Sequence, residues 1–152
     1  MITFDAEHPT EEQLRRIDIH ELLPQQPPFV MVDSLIYFDE RCARTETTVA
    51  EGNIFVDESA FSASGLLENI AQTCALRLGY ANKYIFKKHI QIGYIGAIRN
   101  FIVQQLPKVG ETIQTEVLVI EDIFGMTLAK ATIRSAGEVL ATAEMKIAVK
   151  DE

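Results

Sequence analysis

Glu68 and Gln72 stand four residues apart inside the most apolar helical stretch of the chain, residues 62–81 (SASGLLENIAQTCALRLGYA). That spacing puts both side chains on one helix face. On a 3.6-residue period Leu66, Leu67, Ile70, Ala71, Cys74, Ala75 and Leu78 cover most of the circumference, which predicts a helix buried on nearly all sides. A carboxylate on such a helix is costly unless it is paired, protonated or put to use. Glu68 is therefore the best functional clue along the chain. Ser62, Ser64 and Gly65 suit the helix start, and Gly79 suits its stop.

Other chemistry is sparse. Lys83, Lys87, Lys88 and His89 form a basic run just after the helix, either a solvated loop or a docking patch for an anionic ligand or acidic carrier. The histidines are His8, His20 and His89. No Gly-rich phosphate loop, metal-ligand cluster or Ser-His-Asp order stands out, so neither a metal nor a cofactor is expected. Cys42 and Cys74 make no disulfide framework at this size and read as free thiols of a reducing compartment, with Cys74 packing as a small hydrophobe.

Positioning these groups falls to a chain of 152 residues, expected to be one domain (1–152) with a polar lead-in over 1–18. A net charge of −8 argues against nucleic acid as a general partner. No apolar run approaches a membrane span, and the acidic N-terminus (MITFDAEHPTEEQ) is unlike a signal peptide, so a cytoplasmic protein is expected.

Along the chain, T-E-E-Q at 10–13 predicts a capping box and a short helix, with another helical turn over 19–23 stopped by Pro24. Pro27 and Pro28 force extended backbone into a predicted strand over 29–38. A half-exposed return strand follows over 42–50, then a loop over 51–61. After the helix, 91–103 reads as a strand whose glycines mark a bulge, with Arg99 and Asn100 on its exposed face. Alternation over 112–123, 126–134 and 139–149, punctuated by Gly125 and S-A-G-E, predicts three further strands. Strands, one helix, then a run of antiparallel strands is an α+β pattern, most economically a curved sheet of five or six strands wrapped around the helix. More strand edge than a monomer can safely expose predicts a dimer with joined sheets.

Three segments in order carry a family resemblance: LLPQQPPFVMVDSL at 22–35, LLENIAQTCA at 66–75 and GAIRNFIVQQLPKVGETI at 96–113. Together they resemble the β-hydroxyacyl-acyl-carrier-protein dehydratases, members of the hot-dog fold. The resemblance implies a catalytic carboxylate at Glu68 and a supporting glutamine at Gln72. It also implies a histidine contributed by a loop across a dimer interface, but the matching loop here, NIFVDESAFSASG, is short and has none. A second histidine position of the family, after Leu-Pro, is Gln25.

Dehydrating a 3-hydroxyacyl thioester needs a base for the α-proton, an acid for the departing hydroxide, and donors for an enolate-like oxygen. Backbone N–H groups at Ser64–Leu67 suit the last role. The acyl thioester is expected against Ser64, Gly65 and Leu66, with Gln25 and Phe29 near its entrance. Three readings stay open. The chain is a divergent dehydratase of fatty-acid or polyene-type lipid synthesis using Glu68 with a non-standard partner group, or a hot-dog thioesterase, or an inactive dehydratase-like subunit. The expected partners are a substrate on acyl carrier protein or coenzyme A, and a second chain. That chain would form a homodimer, a trimer of dimers, or a heterodimer with a related dehydratase.

Overall fold

The computed structural model describes residues 4–87 and 91–150, and at 92–94 and 150 the backbone alone. Lys88 and His89 of the basic run lie outside the described residues. Thr10 caps α1 (Glu11–Arg15) as the sequence predicts: its side chain accepts from the Gln13 N–H, and the Gln13 side chain accepts from the Thr10 N–H. A 3-10 turn at Ile19–Glu21 follows. Then come β1 (Ser34–Phe38), β2 (Cys42–Thr48), the two-residue strands β3 (Val56–Asp57) and β4 (Ala60–Phe61), and α2 (Ala63–Tyr80). A π-helical turn, Ala81–Ile85, leads to β5 (Ile92–Val103), β6 (Thr112–Ile123), β7 (Met126–Ser135) and β8 (Glu138–Lys150).

Six strands form one antiparallel sheet in the order β1-β2-β6-β7-β8-β5, while β3 and β4 make a separate hairpin. The sheet wraps α2, the expected α+β hot-dog architecture. A register shift at Ile95/Ala97 sits on Gly96, and a second lies at Arg99/Ile102, where Asn100 takes a φ of 52°. Arg99 and Asn100 are exposed, as expected.

The core has two lobes. Leu66 and Ile70, on the first half of α2, pack with Val117, Ala131, Ile133 and Met145 of the sheet. Leu76 and Tyr80, on the second half, pack with Leu14, Leu22, Leu35 and Phe38. Between them lies a polar band: Asn69, Gln72 and Thr73 are fully buried, whereas Leu67, Ala71, Cys74, Ala75 and Leu78 are only half-buried. This corrects the expectation of an all-round apolar burial. The helix crosses the threonines of β2 and β6 at mid-length, and they satisfy the polar side chains of its innermost face there.

Two further expectations change. Gly79 does not stop the helix, which runs to Tyr80 and continues into the π turn. A Cβ at Gly79 would lie 2.5 Å from the Leu22 carbonyl oxygen, so the missing side chain serves a close approach between the helix and the 3-10 turn. The strand predicted over 29–38 shrinks to Ser34–Phe38 because the backbone of Phe29 and Met31 bonds to α2 side chains instead of a neighbouring strand.

The two sheet edges differ. Helix α1 lies against β1, and Arg15 grips Glu46 on β2 with both guanidinium ends at 3.1 Å. Among the described residues β5 pairs only with β8, which leaves the other edge of this twelve-residue strand without a partner strand, and Ile98 and Ile102 are exposed. The bonds from Arg15 hold the Glu46 carboxyl below its ordinary 4.5, against a smaller opposing effect of partial burial. A carboxylate depressed in the folded state contributes stability above its unfolded pKa and loses it as pH falls through the folded one. Hydrogen exchange in residues 10–16 is therefore expected to rise as pH drops below 4.5, ahead of exchange in the central strands. Glu46→Gln should abolish that pH dependence; equal acid sensitivity in the variant would assign it elsewhere.

Candidate active site at the head of the central helix

Ser62 starts α2, its side chain accepting from the Gly65 N–H at 3.1 Å and its carbonyl from the Leu66 N–H at 3.0 Å. Gly65 is required here, since a Cβ would fall 2.7 Å from the Phe61 ring and 2.8 Å from Phe55. These bonds narrow the set of amides expected to serve an oxyanion. Gly65 and Leu66 have spent their N–H groups, and the Leu66 side chain is fully buried in the core. Among the described residues, the N–H groups of Ala63 and Ser64, both exposed, keep no protein acceptor.

One turn on, Glu68 is half-buried. Gln72, fully buried below it, donates from Nε2 to Glu68 Oε1 at 3.0 Å and to the Phe29 carbonyl at 2.7 Å. Its Oε1 accepts from the Met31 N–H at 2.6 Å. Both Nε2 hydrogens and the Oε1 of the amide are thus engaged, and one carboxylate oxygen of Glu68 is oriented by Gln72. A strap, residues 29–33, forms the wall beside this pair, with the Phe29 ring 55% exposed. Such an arrangement suits a carboxylate that gives or takes a proton on a ligand lying over the helix head.

Sequence reasoning thus places Glu68, Gln72, Ser64 and Phe29 in one neighbourhood. Gln25 is half-buried on the preceding loop, and its Oε1 is buried without a hydrogen-bond partner. Neither of the described histidines, His8 and His20, bonds to Glu68. His8 pairs with Asp5 at 3.2 Å on the exposed N-terminal segment. His20 lines a separate open cleft of about 430 Å³ with Pro27, Pro28, Val30 and Asp33. Of the basic run, Lys83 is engaged by Glu21 at 2.7 Å. Burial pushes the Cys74 thiol up to about 12, consistent with an inert packing role. Asn69 escaped the sequence reading; its position next to Glu68 on an otherwise apolar helix was the only available signal.

Comparison with known families matches residues 17–152 to the ApeP-like model, described as ApeP dehydratase. The chain belongs to the ApeP-like dehydratase family. Sequence comparison with curated proteins gives no match. Among solved structures, the chain is similar to the dehydratase heterocomplex ApeI:P from Xenorhabdus doucetiae (16% identity, TM-score 0.82, 90% of this chain and 93% of that one). It also resembles smu.793 from Streptococcus mutans bound to acetyl-CoA (11%, TM-score 0.66, 86% and 97%). A hypothetical thioesterase from Streptococcus pneumoniae with coenzyme A is a third (9%, TM-score 0.63, 78% and 85%). At these identities the structural likenesses establish the hot-dog fold. Among the described residues no helix is long and apolar enough to cross a membrane.

Proposed function

We propose that this chain is a subunit of a 3-hydroxyacyl-thioester dehydratase whose complete site needs a second chain. The carrying observation is the Glu68–Gln72 pair: an oriented, half-buried carboxylate at the head of the central helix, bonded to neither of the described histidines, His8 and His20. Dehydration removes the α-proton, moves that electron pair through an enolate, and expels the β-hydroxyl as water once it is protonated. Glu68 carries one of the two proton transfers. The exposed amides of Ala63 and Ser64 stabilise the enolate oxygen.

The other proton-transfer group comes from a partner bearing a histidine in the loop that matches residues 54–61. A second copy of this chain lacks it, so the productive partner is a related dehydratase. The uncovered edge of β5 and the half-buried helix face at Leu67, Ala71 and Cys74 support association through one continuous surface. The similar ApeI:P structure, itself a dehydratase heterocomplex, supports the same reading. Two free cysteines support a cytoplasmic setting. The acyl group arrives on acyl carrier protein or coenzyme A.

The test incubates the purified chain, alone and co-purified with a histidine-bearing dehydratase chain, with a 3-hydroxyacyl thioester and with a plain acyl thioester. Enoyl product and free thiol are followed separately, and sedimentation gives the assembly. We expect enoyl product from the mixed dimer, near-background product from the chain alone, and no thiol release. Full dehydration by the chain alone would overturn the need for a partner. Thiol release from the plain thioester would make it a thioesterase, and a strict monomer under all conditions would remove the shared site.

A further inference from the structure

Asn69 is fully buried and ties α2 to three other elements. Its Nδ2 donates to the Met31 carbonyl at 2.8 Å and to Thr47 Oγ1 on β2 at 3.1 Å. Its Oδ1 accepts from Thr115 Oγ1 on β6 at 2.5 Å. Thr73 donates to the Asn69 carbonyl at 2.9 Å and pairs with Thr45 at 2.8 Å, closing the band. A leucine or methionine could occupy a core position on this helix without desolvating an amide, so a fully satisfied polar group here fixes a geometry rather than adding bulk.

The geometry it fixes is that of the strap. Met31 presents its N–H and carbonyl to α2, and Phe29 its carbonyl, because β1 begins only at Ser34. Gln72 holds Phe29 O and Met31 N; Asn69 holds Met31 O, with Thr47 adding a longer bond of 3.3 Å. Gln72 also donates to Glu68. A continuous path therefore runs by hydrogen bonds from Asn69 to the Met31 carbonyl, covalently along the Met31 backbone to its N–H, and by hydrogen bonds through Gln72 to the carboxylate.

We propose that Asn69 is a positioning residue for Glu68, acting through the strap and Gln72; this rests on Glu68 being the acid/base group of the proposed dehydratase. Without the Asn69 donor, Met31 O keeps only the longer Thr47 bond. The strap gains freedom, the Gln72 amide loses its fixed angle, and Glu68 loses the donor that orients it.

The test uses the full chain with Asn69→Leu and with Asn69→Asp, the latter keeping the shape and the acceptor for Thr115 but removing the donor to Met31. The first readout is the NMR signal of the Gln72 side-chain amide protons, assigned by their disappearance in Gln72→Glu. We expect them to move toward free-glutamine positions and to exchange at least about tenfold faster, as local opening becomes easier. The second readout is turnover by the mixed dimer. There kcat should fall between about ten- and a hundredfold, because a misplacement of order 1 Å can cost about a hundredfold. KM should stay within about twofold, the sign of an interaction that matters in the transition state. The amide signal needs no turnover, so it decides the relay even if no dehydration is found. Folded variants with an unchanged Gln72 signal, or with a changed signal and unaltered kcat, would reduce Asn69 to a core-packing residue. Failure of both variants to fold would make Asn69 a requirement of the fold and end the proposal as well.

Discussion

Glu68→Gln is expected to lower 3-hydroxyacyl-thioester turnover by the mixed dimer at least about a hundredfold, the lower bound typical of losing a general acid–base group. The substitution keeps the shape of the side chain and an oxygen able to accept from Gln72 Nε2. It removes the capacity to exchange a proton. Since Glu68 sits at a half-buried helix face and the variant keeps its size and its bond from Gln72, the melting temperature should barely change. A variant that turns over like the parent would place the chemistry elsewhere. A variant that loses activity together with its fold would say nothing about proton transfer, so the melting curve has to accompany the rate.

Gly79→Ala is expected to produce the largest loss of stability from a single added methyl. In an ordinary helix interior the change is favourable by up to about 1 kcal/mol. Here the new Cβ meets the Leu22 carbonyl oxygen at 2.5 Å, and the obstacle is backbone rather than the end of a mobile side chain. Overpacking a well-filled site costs about 1–3 kcal/mol, so after the propensity gain a net loss of up to about 2 kcal/mol is expected. For a chain of this size that corresponds to a fall of up to roughly 8 °C in melting temperature. Gly96→Ala is the control, since its Cβ would meet nothing nearer than the Lys146 carbonyl at 3.9 Å and should change little. Equal melting temperatures for the two variants would refute the close approach at Leu22.

Both effects stem from one design. A helix cannot be buried against a sheet, a strap and a 3-10 turn at once without special residues at each contact: glycine at Leu22, glycine at Phe61, and amides opposite the threonines. The same arrangement leaves Glu68 half-buried near the head of the helix, just after the exposed Ala63 and Ser64. The β5 edge is where the proposed second chain would join the sheet.

The local code of the chain determined much of this. Thr10 and Gln13 form their capping box across three residues, Ser62 caps α2, and the alternation over 112–123, 126–134 and 139–149 becomes three paired strands. Each signal is complete within a few neighbouring residues, so the sequence alone specifies it. The pairing of Glu68 with Gln72 was legible for the same reason, one helical turn separating them. Only the tertiary structure decided the rest. Whether 29–33 is strand or strap depends on side chains about forty residues away, and Gly79 reads as a helix stop until Leu22 is seen against it. Asn69 and Thr73 look like breaks in an apolar face until the threonines of β2 and β6 arrive beneath them. Buried polar groups are chosen by the partners that satisfy them, and those partners come from distant parts of the chain.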